Sequence, residues 1–150
     1  MPVQIALLRG VNVGGHKKVE MARLRALLER LGQTDVRTYV QSGNVVFGGR
    51  RRTEEQLERA IEDEFGFPVA VQLRDLAAMR RLCESIPDDW TNDKEQKTDV
   101  GFLLDAPREK VWHALRKDLG PRYVVDWDGA EVTARNVNTV RKLTDLMRAL

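Results

Sequence analysis

Cysteine occurs once in this 150-residue chain, at Cys83, so no internal disulfide can form and a reducing compartment suits it. Long apolar runs are missing. Nothing approaches the ~20 residues that cross a bilayer, and the short apolar start at residues 3 to 8 has no basic segment ahead of it, which argues against both a membrane span and a signal peptide. The expected location is the cytoplasm, with no membrane partner. Histidine is limited to His16 and His113, far apart, and with a single cysteine they leave no metal-ligand spacing. Neither metal nor cofactor is expected. An excess of one charge is lacking too: 25 basic against 23 acidic residues leave a net +2 and a weak field, which argues against nucleic acid as a default partner. Aromatics are 6% of the chain, and the first and third strands read below offer only Phe47, too few for an RNA-reading sheet.

What is present is the pattern of an α+β protein. Residues 3 to 8 form a continuous apolar first strand that stops at Arg9-Gly10. Met21, Leu24, Leu27, Leu28 and Leu31 fall on one helical stripe ending at Gly32. Residues 36 to 40 and Val45-Val46-Phe47 make a hairpin around Gln41-Ser42-Gly43-Asn44. Thr53-Glu54-Glu55-Gln56 is a capping box that opens a second helix, with Leu57, Ala60, Ile61 and Phe65 inward, and Phe67, Val69, Val71 and Leu73 alternate as a fourth strand. Residues 1–74 are therefore read as a ferredoxin-like βαββαβ sandwich.

Asp75 caps a third helix that Pro87 stops, and a polar linker completes the stretch 75–97. Residues 98–150 read as a partial second ferredoxin-like unit. In it, Val100, Phe102 and Leu104 alternate in a fifth strand, Pro107 opens a fourth helix with Val111, Ala114 and Leu115 inward, and Gly120 closes that helix. Tyr123, Val125 and Trp127 share one face of a sixth strand, Asp128-Gly129 turns, Val132 returns, and Asn136 or Asn138 caps a last helix burying Val140, Leu143, Leu146 and Met147.

Right-handed crossovers give the first unit the strand order 4-1-3-2, which puts the end of strand one and the turn between strands two and three at the same sheet edge. Two polar loops converge there. Arg9, Lys17 and Lys18 supply charge for a phosphate or carboxylate, Gly14 and Gly15 allow close approach of backbone N–H groups, and Asn12, Gln41, Ser42 and Asn44 present hydrogen-bonding edges. The expected partner is a small anionic or nucleotide-like ligand. The alternative is a non-catalytic protein-interaction or dimerisation module, since Gly-Gly and Ser-Gly-Asn are also what plain turns require. Nothing in the residues decides whether chemistry is catalysed. His16 reads as a surface histidine, Ser42 lacks a base in its own segment, turn chemistry accounts for Asp126 and Asp128, Cys83 lies on an apolar stripe, and Arg50-Arg51-Arg52 reads as a solvated loop.

Leu7-Leu8-Arg9-Gly10-Val11-Asn12-Val13-Gly14-Gly15, with Lys18, Met21 and Leu24 and then Tyr39-Val40-Gln41-Ser42-Gly43-Asn44-Val45, resembles the bacterial family called domain of unknown function 1697. Arg135-Asn136-Val137-Asn138-Thr139-Val140 is similar to that family's closing motif. The resemblance implies two ferredoxin-like units packed together and no established activity. It also implies a third polar cluster of Arg135, Asn136, Asn138 and Thr139 at the start of the last helix, where free N–H groups favour an anion. Two departures stand out: Val137 replaces the family's usual Trp, and the helix that usually begins Ser-Lys after the sixth strand is missing. The second unit is expected to be trimmed, with sheet surface free to meet another subunit.

Overall fold

The apolar run near the start of the chain is buried from Ile5 to Leu8 in β1 (Val3–Leu8) of the computed structural model, which describes residues 2–40 and 42–150. Both faces of β1 are covered. Ala6 and Leu8 meet Leu24, Leu27 and Leu28 of α1 (Met21–Arg30) and Leu57 and Ile61 of α2 (Glu54–Phe65). Ile5 and Leu7 meet the second half of the chain. Each fully buried Leu or Ile of the strand contributes roughly 1.5–3 kcal/mol, so this one strand anchors two cores. The expected capping box forms at α2, with Gln56 N–H donating to Thr53 Oγ1 at 3.2 Å and Thr53 N–H to Gln56 Oε1 at 3.1 Å.

With β2 (Thr34–Thr38), β3 (Asn44–Gly48) and β4 (Val71–Asp75), β1 forms an antiparallel sheet in the order β2-β3-β1-β4, the order expected from the sequence and consistent with a ferredoxin-like unit. Phe67 and Val69 precede the last strand and do not belong to it. α3 (Leu76–Ser85) follows β4 without a loop, capped by Asp75, whose Oδ1 accepts from Ala78 N–H at 2.8 Å.

The second sheet corrects the expectation for residues 107–127. Pro107 does not open a helix. Residues 109 to 115 form β6 (Glu109–Leu115), antiparallel to β5 (Gln96–Leu103), which begins inside the expected linker; a short 3-10 turn at Arg116–Asp118 follows. Val111, Ala114 and Leu115 have helical spacing, but the same stretch is rich in strand-favouring Val, Trp and His, and pairing with β5 decides the outcome. Nor is there a sixth strand at Tyr123 to Trp127. The three residues do turn to one side, half-buried, while Val124 and Asp126 are exposed, but they lie across the sheet as an unpaired strap. Tyr123 stacks on Trp112 with ring centroids 4.7 Å apart, and Trp127 lies against Gly101, where a Cβ would meet its ring at 2.9 Å.

β7 (Val132–Asn136) pairs with the other side of β5, giving the order β6-β5-β7, and runs directly into α4 (Val137–Arg148), capped by Asn136. Val100 and Phe102 close the second core with Met79, Leu82, Val140, Leu143 and Met147; Leu146 is only partly buried. The second sheet repeats the register of the first. Ile5 opposes Arg74 and Leu7 opposes Asn44, as Val100 opposes Arg135 and Phe102 opposes Glu109. Where the first sheet has α1 and β2 between β1 and β3, and α2 between β3 and β4, the second has a hairpin at residues 104–108 between β5 and β6 and the strap between β6 and β7. Among the described residues no helix is long and apolar enough to cross a membrane.

Candidate functional site

The loop after β1 is a small hairpin. Val13 and His16 bridge around Gly14 and Gly15, whose φ of 59° and 77° suit a two-residue turn with both central residues left-handed. Asn12 holds its base: Oδ1 accepts from Val19 N–H and Nδ2 donates to Val19 O, both at 2.9 Å. Asn12 and Lys17 are themselves left-handed at 58° and 48°, and Asn12 N–H donates to Lys17 O at 3.1 Å. Arg9, His16, Lys17 and Lys18 are thereby left at the surface, and the Arg9 side chain makes a long 3.9 Å ion pair to Glu131.

The β2–β3 turn packs directly on this loop. Leu8 N–H donates to Gly43 O at 2.9 Å, and Gly43, at φ 85°, sits so close that a Cβ would fall 2.7 Å from Val11 Cγ2 and 2.8 Å from Leu8 Cβ. Only glycine meets both conditions. Val40, just before the turn, is a β-branched residue held at φ 51°. Gln41 lies outside the described residues.

Arg135 joins the third polar segment to the other two. It is buried, and its Nε–H donates to Asn44 Oδ1 at 2.6 Å, Nη1 to Thr133 Oγ1 and Ala134 O at 2.8 Å each, and Nη2 to Leu8 O at 2.8 Å and Ser42 O at 2.9 Å. Asn44, fully buried, completes the network with Nδ2 donating to Tyr39 O and Ser42 Oγ at 2.9 Å. Desolvation lowers the Arg135 pKa to about 10, which still leaves the guanidinium charged at neutral pH. Its donors are consumed by the protein.

The expected residues thus separate by what they touch. Asn12, Asn44 and Arg135 fix the loops, whereas Arg9, Gly14, Gly15, Lys17, Lys18 and Ser42 face solvent. Asn136 accepts from Thr139 N–H at 2.9 Å as the α4 cap, and Asn138 Nδ2 donates to Asn92 O at 2.8 Å, so these three serve the helix start and the residue 92 loop. Thr133 was not anticipated, although it lies two positions before Arg135 and so on the same face of a strand. Depressions of about 590 Å³, bounded by Arg25, Glu29, Asp35 and Arg37, and about 400 Å³, bounded by Arg51, Arg74 and Arg81, lie away from this edge. No group of three or more His, Cys, Asp or Glu residues among the described residues could hold a metal ion.

None of the curated proteins compared with the chain matches it. Among solved structures, the conserved bacterial protein SP0830 from Streptococcus pneumoniae is similar at TM-score 0.72 and 22% identity, over 97% of this chain and 98% of that one, a likeness of fold. The family described as "Protein of unknown function (DUF1697)" matches residues 1–132, which include the Arg9 to Lys18 loop and the Ser42 to Asn44 turn and end just before the Arg135 cluster. The chain belongs to the DUF1697 family.

Proposed function

We propose that the loop edge built by residues 9–18 and 42–44 binds a small anionic or nucleotide-like ligand. The observation that carries this reading is a division of labour: Asn12, Asn44 and Arg135 hold the backbone from within, and Arg9, Lys17 and Lys18 stay at the surface. A loop already fixed by buried hydrogen bonds loses little entropy when it binds, so charge placed on it is more effective than charge on a mobile segment. The surface N–H groups of the Gly14-Gly15 turn suit a phosphate or carboxylate oxygen.

Thermal unfolding with pyrophosphate, nucleotides and sugar phosphates tests this reading. A ligand present at 100 times its Kd stabilises the fold by about 2.7 kcal/mol. Arg9→Ala and Lys17→Ala/Lys18→Ala should keep the unliganded Tm and lose the ligand-induced shift. Variants that retained the shift would overturn the assignment.

A second reading, contact with a protein or another copy of the chain, is favoured by two exposed apolar side chains at the same edge, Val13 at 65% and Val40 at 50%. Sedimentation separates the two. A concentration-dependent dimer that Val13→Asp dissociates supports contact, and a monomer at all concentrations together with an anion-induced shift supports the ligand.

A further inference from the structure

β4 and β7 end in the same way. Gln72-Leu73-Arg74-Asp75 and Thr133-Ala134-Arg135-Asn136 each lead without a loop into a helix capped by the final residue. Each arginine donates from Nη1 to the side-chain oxygen two positions back, Gln72 Oε1 or Thr133 Oγ1, at 2.8 Å in both cases, and to the carbonyl just before it, at 2.9 and 2.8 Å. Each sends Nε–H to the first residue of a strand in the other sheet, Glu109 Oε1 or Asn44 Oδ1, at 2.6 Å. The match ends at Nη2. In Arg135 that nitrogen meets three carbonyls, at 2.8, 2.9 and 3.4 Å, but in Arg74 its one acceptor among the described residues is Arg108 O at 3.4 Å. A guanidinium whose side chain is 4% exposed therefore keeps a donor without a good acceptor, which a buried charged group rarely does.

The depression of about 400 Å³ lies against it, lined by Arg51, Arg74, Arg81, Gln4, Asp75 and Pro107 among others. Asp75 is the carboxylate of this lining, and both its oxygens are engaged, one by Ala78 N–H and one by Arg51 at 3.3 Å. Glu109, on an adjoining depression, is held by Arg74. The Arg81 side chain makes no hydrogen bond or ion pair among the described residues. The arginine run that reads as a plain solvated loop is in fact divided: Arg52 is spent on Gln33 Oε1 and Leu31 O, whereas Arg51 borders the depression.

We propose that this depression is an oxyanion site, taking the phosphate or carboxylate of a compact metabolite between Arg51 and Arg81, with Arg74 as the buried donor. Its size falls within the range of small-ligand pockets. Arg51 meets Asp75 through Nη2 alone, in an exposed pair that contributes little, so a ligand oxygen can share Arg51 with Asp75. The site borders the start of β1, where Gln4 opposes Asp75, and is independent of the loop edge at the end of that strand.

Titration of ¹⁵N-labelled protein with inorganic phosphate and with citrate, at constant ionic strength, reads the two edges separately. The Arg74 Nε–H and Ala78 amide signals should shift and saturate, and Arg51→Ala/Arg81→Ala should weaken that response at least about tenfold, since a hydrogen bond to a charged group is worth ~1.5–3 kcal/mol. Both variant positions are exposed, so the fold should survive, which an unchanged unliganded Tm and unchanged signals from α1 and α2 would verify. Arg9→Ala should leave the Arg74 response intact. Shifts confined to residues 9–18, no saturable shift at all, or an equal response in the double variant would each overturn the proposal.

Discussion

Arg135 Nε–H donates to Asn44 Oδ1 at 2.6 Å, across 91 positions of sequence, and both side chains are buried. The charge is met by neutral acceptors, the Asn44 amide and the carbonyls of Leu8, Ser42 and Ala134, with no carboxylate in the set. One guanidinium thus holds the end of β1, the β2–β3 turn and β7 in a single arrangement.

Removing that guanidinium leaves several buried oxygens without donors, at about 1–3 kcal/mol for each group left unsatisfied. Arg135→Met should therefore lower the urea-unfolding free energy by about 3 kcal/mol or more. A double-mutant cycle with Asn44→Ala should give a coupling above about 1 kcal/mol; additive losses would mean that the pair contributes nothing as a pair.

Gly43→Ala should destabilise more than an ordinary turn substitution, because the new methyl collides with Val11 and Leu8 as well as occupying a left-handed φ. A loss of roughly 1–3 kcal/mol is expected from overpacking alone. Gly15→Ala, left-handed as well but with open space around it, supplies the comparison and should cost less.

Tyr123 Oη is buried with no hydrogen-bond partner among the described residues, and burial, reinforced by the charge of Asp99, raises its pKa to about 12. With a folded pKa above the ordinary value near 10, the phenol's contribution is complete below about pH 10 and is lost as the pH rises through about 12. Tyr123→Phe should be neutral or stabilising by up to about 1 kcal/mol at pH 7, and should flatten the alkaline limb of the stability profile. A clear loss at pH 7 would show that the hydroxyl has a partner in solution.

Val40 is strained at φ 51°, a conformation that disfavours a β-branched side chain by about 1–3 kcal/mol. Val40→Gly should raise Tm. If the strain serves the loop edge, the same variant should weaken whatever ligand the Arg9 screen finds; higher stability with unchanged binding would mark Val40 as a purely local irregularity.

Local sequence was sufficient wherever the deciding interaction was local. The capping box at Thr53, the Asp75 and Asn136 caps and the stripes of α1 and α2 act within a few residues, so spacing alone identifies them. The strand order of the first sheet followed as well, because the hand of the crossovers leaves one arrangement. Residues 109 to 115 were different. Their spacing fits a helix or a strand, and the choice went to the unpaired edge of β5, which is fixed only once the second sheet forms. The same holds at the candidate site. Composition and turn chemistry brought Arg9, Lys18 and Ser42 to attention, but only tertiary packing turned Arg135 inward onto Asn44 and left Arg74 one acceptor short, because the partners of a buried charge come from distant strands that no local pattern records.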